Sequence, residues 1–401
     1  MAVAESFPRI AFEGVTVLLG EELTPVANTT LVVEEGTLSV VGRGSGEGNT
    51  IRMRTGVVLP VLVNAHVHPL DYAIAEAARG LSLTEAVRPP NGVKHRLLRK
   101  LSAKERTNAV RQVLERSLAC GAAVVVGFYE LGLSGVRSGR RGGERLVIEH
   151  LVLGRPDGES PEAVLEEADG WGLPSTYGYS DDELRALGEL AHKNRKLVMV
   201  HVAEDLEEES ATRRTYGCSS VERAIEVLGA DAVVHGCYAS ESDFETLAEK
   251  GVPLCICPRS NASFGLPLPD IVQAVKKGVT IALGTDNAMV AEPDMLRELE
   301  AAAFLYCSYY RSPSAVTADI LLKAATLGLQ PLRLGSPVRE GEKPSFLLMR
   351  FDSEWLVSPE RVKKSIVFRS STARLELMMY RGAVLLASKQ VAKRLREAAG
   401  S

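Results

Sequence analysis

Val57-Val58-Leu59-Pro60-Val61-Leu62-Val63-Asn64-Ala65-His66-Val67-His68-Pro69 is the stretch from which the rest of the chain can be read. Residues 57–63 carry no polar side chain. A short run of that kind fits a strand buried on both faces. Residues two apart on a strand project to one side. His66 and His68 therefore project together from the C-terminal end of that strand, and two imidazoles so placed can share a metal ion. They can equally be two polar residues closing a strand, so the remainder of the chain has to decide.

Downstream, apolar strand and helical stretch alternate. Candidate strands follow at 122–129, 145–153, 171–175, 197–202, 232–236, 253–257 and 280–284. Asp181 opens one helix as its cap, with Leu184, Leu187, Leu190 and Ala191 at helical spacing. A shorter helix runs from Asp270 to its end at Gly278. Eight strands alternating with helices over residues 57–335 predict an α/β protein with a (β/α)8 TIM-type barrel. A doubly wound open sheet is the competing architecture, but no Gly-rich nucleotide turn follows the first strand.

Both ends of the chain are β-rich and lack helical period. Short runs at 9–12, 15–19, 30–33 and 38–41 precede the barrel, and runs at 345–349, 365–368, 375–380 and 384–386 follow it. The simplest packing joins 1–56 and 336–401 into one discontinuous small β-sandwich domain beside the barrel. The polar tail from Ser388 reads as a terminal helix.

The chain has 401 residues, 45% hydrophobic and 24% charged, enough for a large core. Its formal net charge of -4, with mixed signs throughout, argues against a nucleic-acid partner or a basic membrane face. The six cysteines (120, 218, 237, 255, 257 and 307) show no disulfide-framework spacing and read as thiols in a reducing compartment. Cys255 and Cys257 have no second cysteine pair to complete a soft-metal site. No secretory signal or 18-residue apolar run is seen, so a cytoplasmic chain is expected.

Polar residues recur where barrel active sites are built, at the C-terminal ends of strands. His201 lies near the end of the strand at 197–202 with Glu204 just past it, His235 lies near the end of the one at 232–236, and Asp286 follows 280–284. A lone histidine after a strand is usually structural. Four of the seven histidines and one aspartate at the same barrel face are harder to explain that way. His150, within a strand, reads as a core residue, and His192, late in a helix, as solvent-facing or capping. The long loop after the first strand carries Arg79, Arg88, Lys94 and His95, open to a lid or substrate role or to none, with Pro89-Pro90-Asn91-Gly92 as a turn. Arg259 reads as an anion contact or, by preference, a surface ion pair.

The ordered motifs "NAHVH", "HVAE", "VVHG", "CPRSN" and "LGTDNA", with "AATLGLQPLRLG" near the barrel's end, span most of the chain. On them the chain resembles the amidohydrolase superfamily, in the group with cytosine, guanine and S-adenosylhomocysteine deaminases and the triazine hydrolases. The resemblance implies one divalent metal ion, Zn²⁺ favoured with Fe²⁺ compatible, held by His66, His68, His201 and Asp286. It implies that Glu204, His235 and Asp286 are catalytic. The implied reaction is deamination of a heterocyclic base or nucleoside by attack of metal-bound hydroxide. Hydrolysis of a cyclic amide such as an imidazolone is the alternative within enzymes, and a non-catalytic metal- or ligand-binding barrel the alternative outside them. The partner implied is a small heterocycle, with a homodimer as a family expectation. No lysine occurs between Leu151 and His192, so a two-metal centre bridged by a carboxylated lysine is disfavoured. Glu204 also reads as a helix N-terminal acidic residue, since Asp205 and further glutamates follow. The chain departs from the family at Leu59-Pro60-Val61-Leu62, where Pro-Gly is usual, and at Pro344-Ser345-Phe346-Leu347, where an acidic "ADL" is usual.

Overall fold

The computed structural model describes residues 9–42, 49–88 and 91–399. Among them eight parallel strands form the central sheet. They are Leu62–His68, Ala122–Tyr129, Glu149–Gly154, Gly170–Leu173, Leu197–Val202, Ala232–His235, Leu254–Ile256 and an eighth split into Ile281–Leu283 and Asp286–Asn287. Each pairs with the next in chain order. Asp286 and Asn287 then pair with Val67 and His68, so the sheet closes on itself as a (β/α)8 barrel. The sequence dictates this arrangement simply. Every residue of Ala122–Tyr129 is buried, as a strand enclosed on both faces requires.

The helices between are set by local chemistry. Ser102 and Ser180 each accept from the N–H three residues on, while Glu105 and Glu183 bond back to the serine N–H. The cap of the helix Asp181–Lys193 is thus Ser180, not Asp181. Asp270 does cap the helix Ile271–Lys277, and Gly278 ends it at φ 93°.

A second sheet draws on both chain ends. Its order is Ala383–Ala387, Arg374–Tyr380, Phe346–Arg350, Gly56–Leu59, Arg9–Leu19, Thr24–Glu34 and Thr37–Val41, with Thr50–Arg52 beside Arg9–Leu19. Here the run 57–63, expected as a single strand, proves to be two. Gly56–Leu59 pairs with Phe346–Arg350 in the end sheet, and Leu62–His68 opens the barrel. Pro60 stands at the break, where it has no N–H to give a ladder.

The stretch 365–368, expected as β, lies in the helix Val362–Arg369. Val362, Ser365, Ile366 and Val367 are its buried positions, the first three at i, i+3 and i+4, and packing against the helices Met295–Tyr309 and Ala318–Thr326 overrides the β-branched composition. The tail forms the helix Lys389–Ala399. Pro89 and Pro90 of the expected turn lie outside the described residues. Among the described residues no helix is long and apolar enough to cross a membrane.

Candidate active site

The C-terminal rims of the barrel strands bring together the residues singled out above. His66 and His68 lie in the first strand, His201 in the fifth, His235 at the end of the sixth and Asp286 in the second half of the eighth. One donor atom from each of His66, His68, His201 and Asp286 lies within 4.8 Å of the others. His66 Nε2 is 3.1 Å from Asp286 Oδ1, His68 Nε2 is 3.5 Å from the same oxygen, and the Nε2 atoms of His68 and His201 are 3.3 Å apart.

The hydrogen bonds behind these rings fix what faces inward. His201 Nδ1 lies 2.8 Å from Leu173 O, which can only accept, so Nδ1 carries the proton. His68 Nδ1 donates to Glu130 Oε1 at 2.8 Å. In their neutral forms both rings therefore turn a lone pair from Nε2 toward the other, across 3.3 Å. Burial, with the neighbouring imidazoles, holds the His201 pKa well below its ordinary value, and burial takes His66 down to about 3. A proton is thus a poor bridge, and a cation shared among the four groups suits the donor set. Three neutral nitrogens and one carboxylate match a borderline divalent ion such as Zn²⁺.

Asp286 is the anion of the set. Burial alone raises its carboxyl, but the hydrogen bond from His66 and the nearby His235, His66 and His68 bring it well below the ordinary carboxylate range. Its Oδ2 accepts from Ser260 Oγ at 2.5 Å. Asp286 sits at φ 57° and His235 at φ 75°, a left-handed backbone that non-glycine residues adopt at some cost. Two contacts keep the eighth strand against the first. Asn64 Nδ2 donates to Thr285 Oγ1 at 2.8 Å while Thr285 N–H donates to Asn64 Oδ1 at 3.0 Å. At Gly284 a β-carbon would meet His66 N and O at 2.8 Å, so only glycine fits there.

Glu204 follows the fifth strand after a left-handed turn at Ala203, φ 46°. The cap of the helix Leu206–Tyr216 is Asp205, which accepts from Glu208 N at 2.9 Å, so Glu204 is not spent on the helix. Its Oε1 lies 3.5 Å from His235 Nε2. Burial raises the Glu204 pKa, the charge of His235 opposes this and that of Asp286 adds to it. His235 Nδ1–H donates to Asn261 Oδ1 at 3.1 Å, leaving its buried Nε2 without a partner.

These groups open onto a cleft of about 580 Å³, part of it open to solvent, that includes His68, His201, Glu204 and Asp286 in its wall. Of the loop candidates, Lys94 and His95 line this cleft. Arg79 instead bonds Glu76 and Val290 O, and Arg88 pairs with Glu207 on the surface. Arg259 is neither anion contact nor surface pair. Its Nε is 2.5 Å from Glu298 Oε2, and Glu298 is fully buried. Its neighbours Ser260 and Asn261 are the ones that reach the site, through Asp286 and His235. His150 Nε2 shares a hydrogen bond with Tyr129 Oη, and His192 is half-exposed. The six cysteines are unpaired.

Two residues of the cleft wall, Glu130 and Arg155, and Asp71 buried behind Lys94 escaped the sequence reading. Glu130 directly follows the second strand, and the strand-end rule that found Glu204 would have found it.

A model of the amidohydrolase family matches residues 57–328. A putative aminohydrolase of Methanothermobacter thermautotrophicus is 33% identical over 305 residues, covering 73% of this chain and 79% of its own. A 5-methylthioadenosine/S-adenosylhomocysteine deaminase of Acetivibrio thermocellus is 25% identical over 54% of this chain and 52% of its own. Among solved structures, a zinc-bound adenosine deaminase of Xanthomonas campestris superposes with a TM-score of 0.79 at 18% identity, over 97% of this chain and 96% of that one, and shares the fold.

Proposed function

The chain belongs to the amidohydrolase family, and from that membership we propose that it is a metal-dependent aminohydrolase acting on a heterocyclic base or nucleoside. The observation that carries the reading is Glu204, a cleft-lining carboxylate with raised proton affinity set between His235 and the His66, His68, His201 and Asp286 cluster. The relatives named as aminohydrolase and deaminase support the same reaction class.

His66, His68, His201 and Asp286 would hold one divalent ion, Zn²⁺ in preference to Fe²⁺. Such an ion supplies the Lewis acidity that makes water a nucleophile near neutral pH. Asp286, ionised and fixed by Ser260, takes a proton from the attacking water through its free lone pairs. Glu204 holds a proton near a substrate ring nitrogen and delivers it as the tetrahedral carbon forms; the proton on Asp286 then goes to the departing amine, and Glu204 regains its own from the new hydroxyl as the carbon–oxygen double bond closes. A carboxyl whose pKa is raised by burial can give and take a proton in turn. His235, its Nδ1–H held by Asn261, turns its Nε2 lone pair to the same space and accepts a hydrogen bond from the attacking water.

An ammonia-release screen over purines, pyrimidines and pterins, with Zn²⁺-reconstituted protein, tests this. The expected result is ammonia from at least one amino-substituted ring with replacement of the amine by oxygen. A substrate turned over to a ring-opened acid without ammonia would overturn the deaminase reading.

A further inference from the structure

The three imidazoles of the cluster are backed in three different ways. His201 Nδ1 leans on a neutral carbonyl, Leu173 O. His66 Nδ1 is buried with no partner. His68 Nδ1 donates to a carboxylate, Glu130. The same Glu130 oxygen lies 2.6 Å from Lys94 Nζ, and that ammonium lies 2.8 Å from Asp71 Oδ2. All four side chains are at most 9% exposed. Asp71 sits in the turn Pro69–Ile74 that follows His68, Lys94 in the helix Val93–Leu98, and Glu130 just after the second strand.

This is costly construction. Each buried ion gives up its hydration, and two carboxylates here share one ammonium, with the buried Arg155 guanidinium also acting on Glu130. Glu130 Oε2 and Asp71 Oδ1 have no hydrogen-bond partner of their own. A helical core at this place could be built of leucines at lower cost. The Glu130 carboxylate lies one hydrogen bond behind His68, whose other nitrogen faces the proposed ion.

We propose that Glu130, locked by Lys94 and Asp71, is the positioning residue of the metal centre: it holds His68 in its Nε2-donor tautomer and raises that nitrogen's affinity for a divalent cation. The inference rests on the metal reading given above. The carboxylate fixes the proton on Nδ1 and orients the ring, and its charge makes Nε2 a stronger donor. Lys94 keeps the carboxylate in register, since one Glu130 oxygen serves both partners. Asp71 anchors Lys94 to the chain segment that leaves His68. The device ties the first loop to the first two strands through one ammonium.

The test is Zn²⁺ affinity, measured by chelator competition on the full-length metal-stripped chain, for wild type and Glu130→Gln. The amide keeps an acceptor for Nδ1–H but no charge. Zn²⁺ binding is expected to weaken about 10–100-fold, with the cobalt-substituted protein shifting its visible d–d band. A merely structural role would lower the melting temperature of the metal-free chain and leave affinity and band unmoved, and that result overturns the proposal. If Glu130→Gln does not fold, Lys94→Met/Glu130→Gln removes the opposite charges together and is expected to show the same loss of affinity; unchanged affinity there overturns the proposal equally. A wild-type chain that binds no Zn²⁺ would instead overturn the metal reading itself.

Discussion

Gly284→Ala probes the closest approach in the site. The new β-carbon would lie 2.8 Å from His66 N and O and 2.9 Å from His66 Cβ. Comfortable carbon contacts begin at about 3.5 Å, so the eighth strand must retreat from the first by roughly 0.7 Å. No flexible side-chain end is available to yield. Overpacking of this kind costs about 1–3 kcal/mol. The retreat also stretches the reciprocal Asn64–Thr285 bonds, at 2.8 and 3.0 Å, each worth about 1 kcal/mol. A total of about 2–4 kcal/mol is expected, read as a lower denaturant midpoint at unchanged slope. Asp286 stands two residues on and rides with the strand. A displacement approaching an ångström in a catalytic group costs about 100-fold in rate, so ammonia release should fall by about that factor. Stability and activity both matching wild type would show that the strands are not held at this distance, and the account of how Asp286 is placed would fail.

Three other outcomes follow from named contacts. Glu204→Gln should lower kcat by about 10²–10⁴-fold, the range for losing a positioned acid–base, while metal content stays at wild-type level; an activity within tenfold of wild type would exclude Glu204 as the proton carrier. Burial raises the Glu204 carboxyl above its ordinary 4.5, so the folded chain holds this proton more tightly than the unfolded chain. In chelator-treated protein, wild type should therefore lose stability relative to Glu204→Gln as pH rises past that value, and a difference that grows toward low pH would contradict the sign. Arg259→Met should destabilise by about 3–5 kcal/mol because it leaves Glu298 buried without its cation; Arg259→Met/Glu298→Leu should recover most of that in urea unfolding.

The barrel was legible because its signal is repetitive. A strand such as Leu197–Val202 is apolar except for a polar residue near its C-terminal end, His201, and that pattern returns around the sheet. His66, His68, His201, His235 and Asp286 could be proposed together since each ends such a run. The break at Pro60 was not legible, because two strands in different sheets can share one apolar run. The helix Val362–Arg369 was hidden for another reason. Its β-branched residues favour a strand locally, and only the helices packed on it decide otherwise. Long-range pairing hid the rest. Lys94 meets Glu130 across the barrel rim, and Asn64 meets Thr285 from 221 residues away. Arg259 looked like a surface charge since nothing near it in sequence announces the buried Glu298.

The central claim is a single-metal hydrolytic centre made by His66, His68, His201 and Asp286. Its most direct test is to titrate Zn²⁺ into metal-stripped chain and follow ammonia release from a substrate found in the screen. Activity is predicted to rise linearly and to break at one equivalent per chain. A break at two equivalents, or activity that does not depend on added metal, would contradict the account.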